Sequence, residues 1–359
     1  MNNLSLLVKP VSSTCNMNCA YCFYSATERE RKNTCEKVMT DETVGILARK
    51  IRLASPCFLS ITFQGGEPTL AGVGFFENFI SRIKESVDKD TVISFGFQTN
   101  GLLIDDAFAK LFKEYSILVG LSIDGDKTTF DRYRRGRNGE SVFDRVKAAA
   151  KLLNKYGVDF NILSVVTDES AKEITENYSF FKDNGLRFLQ FIPFVDELNG
   201  NIRLSPENYA AFLKTLFDLW FEDFKNGTRV SVRDFDNCIS VILGYPPESC
   251  AMSGICGGYF VIEKGGEIYP CDFYCKKEYL LGNIRDAEPF SVTPVRKKFA
   301  EESFIIHESC KKCRYYLLCR GGCRFNRTED LKKNIYCEAY KEFFDYSADR
   351  LISAAKSFM

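Results

Sequence analysis

Six short runs, at residues 4–8, 58–63, 92–97, 117–123, 160–166 and 188–194, are apolar at nearly every position and not at alternate ones. Parallel strands covered on both faces read this way. Between the runs lie stretches of helical periodicity at 41–54, 73–87, 106–114, 142–156 and 171–184. This alternation predicts an α/β fold on a parallel sheet, open or closed into a barrel. The residues just after each run favour the barrel. The cysteine-rich stretch CNMNCAYCFY (15–24) comes after the first, Gln64-Gly65-Gly66-Glu67-Pro68 after the second and Gln98-Thr99-Asn100-Gly101 after the third. Ser122 and Asp124-Gly125 close the fourth, Thr167 the fifth and Val195-Asp196 the sixth. Parallel barrels gather their active sites at these C-terminal strand ends. About six units, against the eight of a closed barrel, predict a partial (β/α)6 barrel with a lateral opening wide enough for a peptide.

Cys15, Cys19 and Cys22 are spaced Cys-x3-Cys-x2-Cys on the first of these loops. Three thiolates fit three corners of a cubane iron-sulfur cluster and leave the fourth iron without a protein ligand. An open coordination position is what a substrate or cofactor needs. A zinc knuckle would require a fourth Cys or His close by. The next Cys is Cys35, and the only His in the chain is His307.

The charges narrow the partners. Lys plus Arg and Asp plus Glu both number 48, so the formal charge is zero. Nothing in that balance points to nucleic acid, and the local group Arg132, Arg134, Arg135 and Arg137 is the one basic cluster singled out. Fifteen Cys would suggest disulfides in a short secreted chain, but the opening MNNLSLLVKPVSS lacks a basic n-region and a long apolar stretch. Reduced, metal-ligating thiols in a cytoplasmic protein are therefore expected. No apolar run approaches the ~20 residues needed to cross a bilayer, so no membrane is expected. The 32 Phe and 17 Tyr read first as core and wall material.

Beyond the sixth run, Ser205-Pro206-Glu207 starts a connecting helix, with Ser as N-cap and Pro at its first position. Composition then shifts, with ten Cys between residues 238 and 337. The expected divisions are 1–230 for the barrel, 231–337 for a Cys-rich domain and 338–359 for a terminal helix. The spacings are Cys250-x5-Cys256-x14-Cys271 and Cys310-x2-Cys313-x5-Cys319-x3-Cys323-x13-Cys337. With so little His, Cys-His zinc sites cannot form, whereas eight Cys suffice for two fully ligated 4Fe-4S clusters. Two all-Cys zinc sites would use the same spacing. Cys57, opening an apolar run, is expected as a small core residue, and Cys275 is left open as a further ligand.

The first cysteine loop, with Tyr21 before its third thiol, resembles the radical S-adenosylmethionine enzymes, whose fold is a six-unit, TIM-like partial barrel. In that family the open iron binds S-adenosylmethionine, and one electron cleaves it to a 5'-deoxyadenosyl radical. The second field resembles the SPASM domain of peptide-modifying members. That likeness assigns Cys250, Cys256, Cys271 and Cys323 to one auxiliary cluster and Cys310, Cys313, Cys319 and Cys337 to the other. Tyr269-Pro270-Cys271-Asp272-Phe273-Tyr274, together with LSLLVKPVSS, FQGGEPTLAG, QTNGLLID, LVGLSIDG and CKKC, is similar to the anaerobic sulfatase-maturating enzymes along essentially the whole chain. These oxidise a Cys or Ser of a sulfatase polypeptide to Cα-formylglycine without oxygen. The likeness implies three 4Fe-4S clusters, S-adenosylmethionine, and an electron donor such as flavodoxin or ferredoxin.

It also implies roles. Gly65 and Gly66 allow close backbone approach where the S-adenosylmethionine amino group docks, and Glu67 would fix that turn. Ser122 and Arg134 match positions holding the ribose and the carboxylate, which an Arg fork suits. Val195 matches a hydrophobic wall for adenine. Asp272 would take the proton of the substrate thiol or hydroxyl, with burial beside a cluster ligand making it a usable base. One departure is Phe130, where many relatives carry a His. Two other classes use similar parts. A maturase that crosslinks or epimerises a ribosomal peptide often has an extra leader-binding domain, whereas fourteen residues precede Cys15 here. A pure electron carrier has no use for a three-Cys site or for Gly65-Gly66-Glu67-Pro68.

Overall fold

The computed structural model describes residues 3–24, 37–194, 202–328, 330 and 332–358. The expected alternation is present: β1 (Asn3–Val8), α1 (Asp41–Ala54), β2 (Phe58–Phe63), α2 (Val73–Ser86), β3 (Val92–Thr99), α3 (Asp106–Glu114) and β4 (Leu118–Ser122). Next come α4 (Lys127–Tyr133), α5 (Phe143–Tyr156), β5 (Phe160–Val166), α6 (Asp168–Lys172), α7 (Ile174–Asp183) and β6 (Phe188–Pro193). The fold class is α/β with a parallel sheet. Its chain separates by contacts into two compact units that interleave in sequence, 1–122 with 134–160 and 257–299, and 123–133 with 161–256 and 300–359.

In the first unit β1, β2, β3 and β4 pair in parallel, in that order. Although the runs are apolar throughout, burial alternates along them: Leu59, Ile61 and Phe63 of β2 are fully buried, while Ser60 and Thr62 are only half-buried. The buried face packs on the helices through an aromatic core. Phe63 lies 4.9 Å from Phe76 of α2, which lies 4.9 Å from Phe97 of β3, itself 4.9 Å from Phe112 of α3. Such T-shaped and tilted pairs each add roughly 0.5–1.5 kcal/mol to the burial of their area. The Phe-rich composition is therefore largely accounted for by packing. Helix starts reflect local chemistry: Thr40 caps α1 by accepting from the Thr43 N–H, with Asp41 and Glu42 in the first turn.

Three strands invisible to the sequence reading extend this unit. β8 (Phe260–Ile262) runs parallel to β1, with Leu6 opposite Phe260 and Val8 opposite Ile262. β9 (Glu267–Tyr269) turns back antiparallel to β8, and β10 (Gly282–Asn283) pairs antiparallel with β9. The hairpin turns at Gly266, whose φ of 89° only Gly adopts without strain. This arrangement carries Cys271 and Asp272 to the C-terminal ends of β1 and β2.

In the second unit β5 and β6 pair in parallel, and β6 pairs with the two-residue β7 (Ser231–Val232). The connecting helix α8 (Pro206–Lys225) begins as expected, with Ser205 accepting from the Asn208 N–H and Pro206 at the start. α8 packs against α10 (Cys337–Lys356), the terminal helix, and α9 (Arg233–Ile242) packs on it too. No helix among the described residues is long and apolar enough to cross a membrane.

Candidate active site

Cys15, Cys19 and Cys22 lie on the loop after β1, each half-buried. The Cys22 N–H donates to the Cys19 carbonyl at 3.1 Å, closing a turn. Neighbouring segments pin the loop: the Asn18 N–H donates to the Arg135 carbonyl at 2.9 Å, and Arg137 Nε donates to the Cys15 carbonyl at 2.9 Å. The Cys15 Sγ accepts from the Met17 N–H at 3.4 Å and from Asn100 Nδ2 at 3.6 Å. Burial pushes the Cys15 thiol up to about 11 against the pull of those donors. Three thiols on one closed loop, with N–H groups directed at a sulfur, form a donor set that fits thiolate ligation of a cluster.

The Gly65-Gly66-Glu67 turn is built against this loop. The Gly66 N–H donates to the Ser12 carbonyl at 2.7 Å and the Glu67 N–H to the Thr14 carbonyl at 2.8 Å. A Cβ on Gly66 would stand 2.1 Å from the Thr14 carbonyl oxygen, and one on Gly65 2.5 Å from that of Ser12. The close approach these glycines permit is thus to the segment leading into Cys15. Glu67, fully buried, is spent on the turn. Its carboxylate accepts from the Thr69 N–H at 3.0 Å, Thr69 Oγ1 at 2.6 Å, Thr99 Oγ1 at 2.8 Å and the Asn100 N–H at 2.7 Å. Burial raises its pKa, and these four donors offset part of that cost. Gly66→Ala is expected to lower stability by about 1–3 kcal/mol through the forced backbone shift. Thermal unfolding and iron content of the anaerobic protein check this, and an unchanged midpoint contradicts it.

Arg134 is 7% exposed and places its guanidinium 5.4 Å from the Tyr21 ring centroid, so these two expected residues meet in a cation-π contact. Ser122 ends β4, half-buried. Phe130 is fully buried within α4, a packing position. Val195 and Cys35 lie outside the described residues.

Asp272 is 4% exposed and stands at the centre of a network the sequence reading missed. Lys9, directly after β1 and 1% exposed, approaches Asp272 Oδ1 at 2.6 Å and Glu263 Oε1 at 3.1 Å. Burial works to lower the Lys9 pKa, and the two carboxylates outweigh it, holding the ammonium well above its ordinary value. Tyr24 donates to Asp272 Oδ2, and Gln64 Nε2 donates to the same oxygen at 3.0 Å and to the Tyr24 hydroxyl at 2.8 Å. Burial, then the Asp272 charge, raises the Tyr24 pKa well above normal, so this phenol keeps its proton. Behind Asp272, its N–H donates to the Tyr259 hydroxyl at 3.4 Å, and that hydroxyl donates to the Cys271 Sγ at 3.3 Å. Tyr24 is two residues past Cys22 and Asp272 one past Cys271, so one hydrogen bond joins the two cysteine motifs. Gln64 belongs to the motif noted after the second apolar run, and Lys9 stands immediately after the first, where the strand-end rule would have flagged it as well.

The second cysteine field separates into groups. Cys310, Cys313, Cys319 and Cys337 line one cavity, walled also by Tyr315 and Tyr340. Burial pushes the Cys319 thiol up to about 11, with the other three thiols adding to the rise. Cys250, Cys256 and Cys323 lie within electrostatic reach of one another, and burial pushes Cys250 up to about 11. Among the described residues no three His, Cys, Asp or Glu side chains converge closely enough to hold a single metal ion. Four thiols spread around one space suit a cluster carried by thiolates. Cys275 is 2% exposed and packs with Val261 and Tyr269, its Sγ 3.7 Å from Lys9 Nζ. Cys57 corrects an expectation: it is exposed, because it precedes β2 at the strand's open end and burial begins only at Leu59. Cys238 is buried in α9.

Comparison with known proteins agrees with this geometry. The Radical SAM superfamily model matches residues 10–181. A Cysteine-type anaerobic sulfatase-maturating enzyme of Clostridium perfringens (strain 13 / Type A) is 43% identical over 99% of this chain and 100% of its own. A Serine-type anaerobic sulfatase-maturating enzyme of Bacteroides thetaiotaomicron is 29% identical over 99% of this chain and 92% of its own. The solved structure described as "Native anSMEcpe with bound AdoMet and Cp18Cys peptide" superposes with a TM-score of 0.93 at 42% identity, covering 99% of this chain and 100% of that one.

Proposed function

From the premise that this chain belongs to the anaerobic sulfatase-maturating enzymes of the radical S-adenosylmethionine superfamily, we propose that it oxidises an active-site Cys of a sulfatase polypeptide to Cα-formylglycine without oxygen. It is an oxidoreductase whose cofactors are S-adenosylmethionine and 4Fe-4S clusters. The preference for Cys over Ser rests on the higher identity to the Cysteine-type relative.

Cys15, Cys19 and Cys22 would hold the cluster that binds S-adenosylmethionine, and the other eight thiols two auxiliary clusters, with Cys250, Cys256, Cys271 and Cys323 on the first. When bound, these groups supply the 5'-deoxyadenosyl radical that removes a Cβ hydrogen and an acceptor for the remaining electron. The chain's own residues do the rest. The Gly65-Gly66 turn that Glu67 locks would receive the S-adenosylmethionine amino group, and Ser122 and Arg134 its ribose and carboxylate, with Tyr21 in cation-π contact with Arg134. Asp272 takes the substrate thiol proton on its carboxylate, held in place by Lys9, Tyr24 and Gln64. The observation that carries this reading is the buried Asp272 tied to the first cysteine loop through Tyr24. Residues 1–230 serve the radical step and 231–337 the auxiliary clusters, with 338–359 as a terminal helix. A flavodoxin or ferredoxin in the cytoplasm would supply the reducing electron.

Anaerobic reconstitution and then mass spectrometry on matched sulfatase peptides tests the proposal. A Cys-containing peptide should lose mass in step with 5'-deoxyadenosine release, and the Ser peptide should turn over at least ~10-fold more slowly, since a small-group difference in one pocket is worth that much. Release of 5'-deoxyadenosine with crosslinked or epimerised peptide instead would favour the ribosomal-peptide maturase reading.

A further inference from the structure

We propose that the surface over Cys310, Cys313, Cys319 and Cys337 is the docking face for a small, acidic one-electron carrier protein. This rests on the reading of those four thiols as cluster ligands. Between residues 309 and 328 the chain carries six basic residues and no acidic one, in a protein whose formal charge is zero. Two of the six are turned inward and consumed: Arg324 pairs with Glu302 at 2.5 Å, and Arg327 donates to the carbonyls of Gly321, Gly322, Ser303 and Ile305. The other four stay outside. Lys311, Lys312 and Arg314 are exposed and Arg320 is half-buried.

Two of these have surface partners, Lys311 with Glu308 and Arg314 with Asp345, and exposed pairs of that kind are screened and weakly held. Lys312 and Arg320 form no salt bridge among the described residues. Leu317, in the middle of the segment, is 67% exposed, an apolar side chain offered to solvent between Arg314 and Arg320 in the sequence. The thiols are close beneath. Cys313 and Tyr315 belong both to the cavity with the four thiols and to a more open depression lined by Lys312, Arg314 and Lys341, where Asp345 is the one acid and is engaged by Arg314. Redox encounters use small, wet, short-lived interfaces. Charge complementarity steers them, so a basic rim selects an acidic partner.

The test titrates the anaerobically reconstituted full chain, by calorimetry at low and high salt, with an acidic 2[4Fe-4S] ferredoxin, a basic cytochrome c of similar size and a short DNA duplex. Ferredoxin should bind at low salt and lose at least ~10-fold in affinity at high salt, where the Debye length shrinks, and the other two should bind at least ~10-fold more weakly. Combining Lys312→Glu with Arg314→Glu should weaken ferredoxin binding ~10-fold at unchanged iron content. Carbodiimide cross-links on the wild-type protein should fall on Lys311, Lys312 or Lys341. Equal binding of cytochrome c or DNA, indifference to salt, or cross-links confined to other lysines overturns the assignment. If the charge reversal costs iron, Leu317→Ser and the cross-link map decide in its place. S-adenosylmethionine cleavage by the same wild-type sample with dithionite separates the two readings: cleavage without ferredoxin binding removes the docking face alone, and ferredoxin binding without cleavage removes the proposed function.

Discussion

Asp272→Asn is expected to leave reductive cleavage of S-adenosylmethionine intact while lowering formylglycine formation by roughly 10²–10⁴-fold, the usual contribution of a positioned proton acceptor. The substitution is close to isosteric. Lys9 keeps Glu263 at 3.1 Å as its counterion, so the change leaves no unpaired buried ammonium. The amide keeps one oxygen, which can accept from Tyr24 and Gln64 while its NH2 turns toward Lys9 and shifts that ammonium onto Glu263, and it cannot take a proton at neutral pH. Chromatography of 5'-deoxyadenosine and mass spectrometry of the peptide, run on one reaction, give the two rates. Peptide oxidation at the wild-type rate would remove Asp272 from the chemistry, and loss of both rates would assign it to the scaffold.

Lys9→Met should be the most destabilising single change in this region, by about 3–5 kcal/mol, because it strands charged groups in the interior. Glu263 and Asp272 both pair with this ammonium, and all three side chains are at most 5% exposed. Their pairing also fixes where Asp272 points. Anaerobic thermal unfolding of the reconstituted protein measures the effect. Glu263→Gln added to Lys9→Met should recover part of the loss, since one of the two stranded carboxylates is then gone. A midpoint unmoved by Lys9→Met would mean that water reaches the carboxylates and that their burial is not maintained in solution.

Much of the architecture was legible because it is written locally. The apolar runs of β1 to β6, the Ser205-Pro206 start of α8 and the first cysteine loop each announce themselves within a dozen residues, and the family resemblance singled out Asp272 after Cys271. Lys9 and Glu263 did not, and Gln64 and Tyr24, though inside noted motifs, gave no sign of reaching Asp272, because these partnerships depend on register. Lys9 and Glu263 are 254 positions apart and meet only because β8 lies along β1. β7 to β10 are two or three residues long, too short to leave a periodic trace. Cys57 was misjudged for a related reason: apolar neighbours predict a strand, but not which end of it meets water.

The β8–β9 hairpin bears on how such a chain could be divided or recombined. A version ending before residue 257 would strip β1 of its outer neighbour, expose the backbone of residues 6–8 as an unprotected margin, and discard both carboxylates that pair with Lys9. Grafting a foreign tail onto the front portion would meet the same obstacle unless the graft restored both the strand and the acid. For inheritance and for engineering alike, the first cysteine loop and the hairpin that leads to Cys271 travel as one piece.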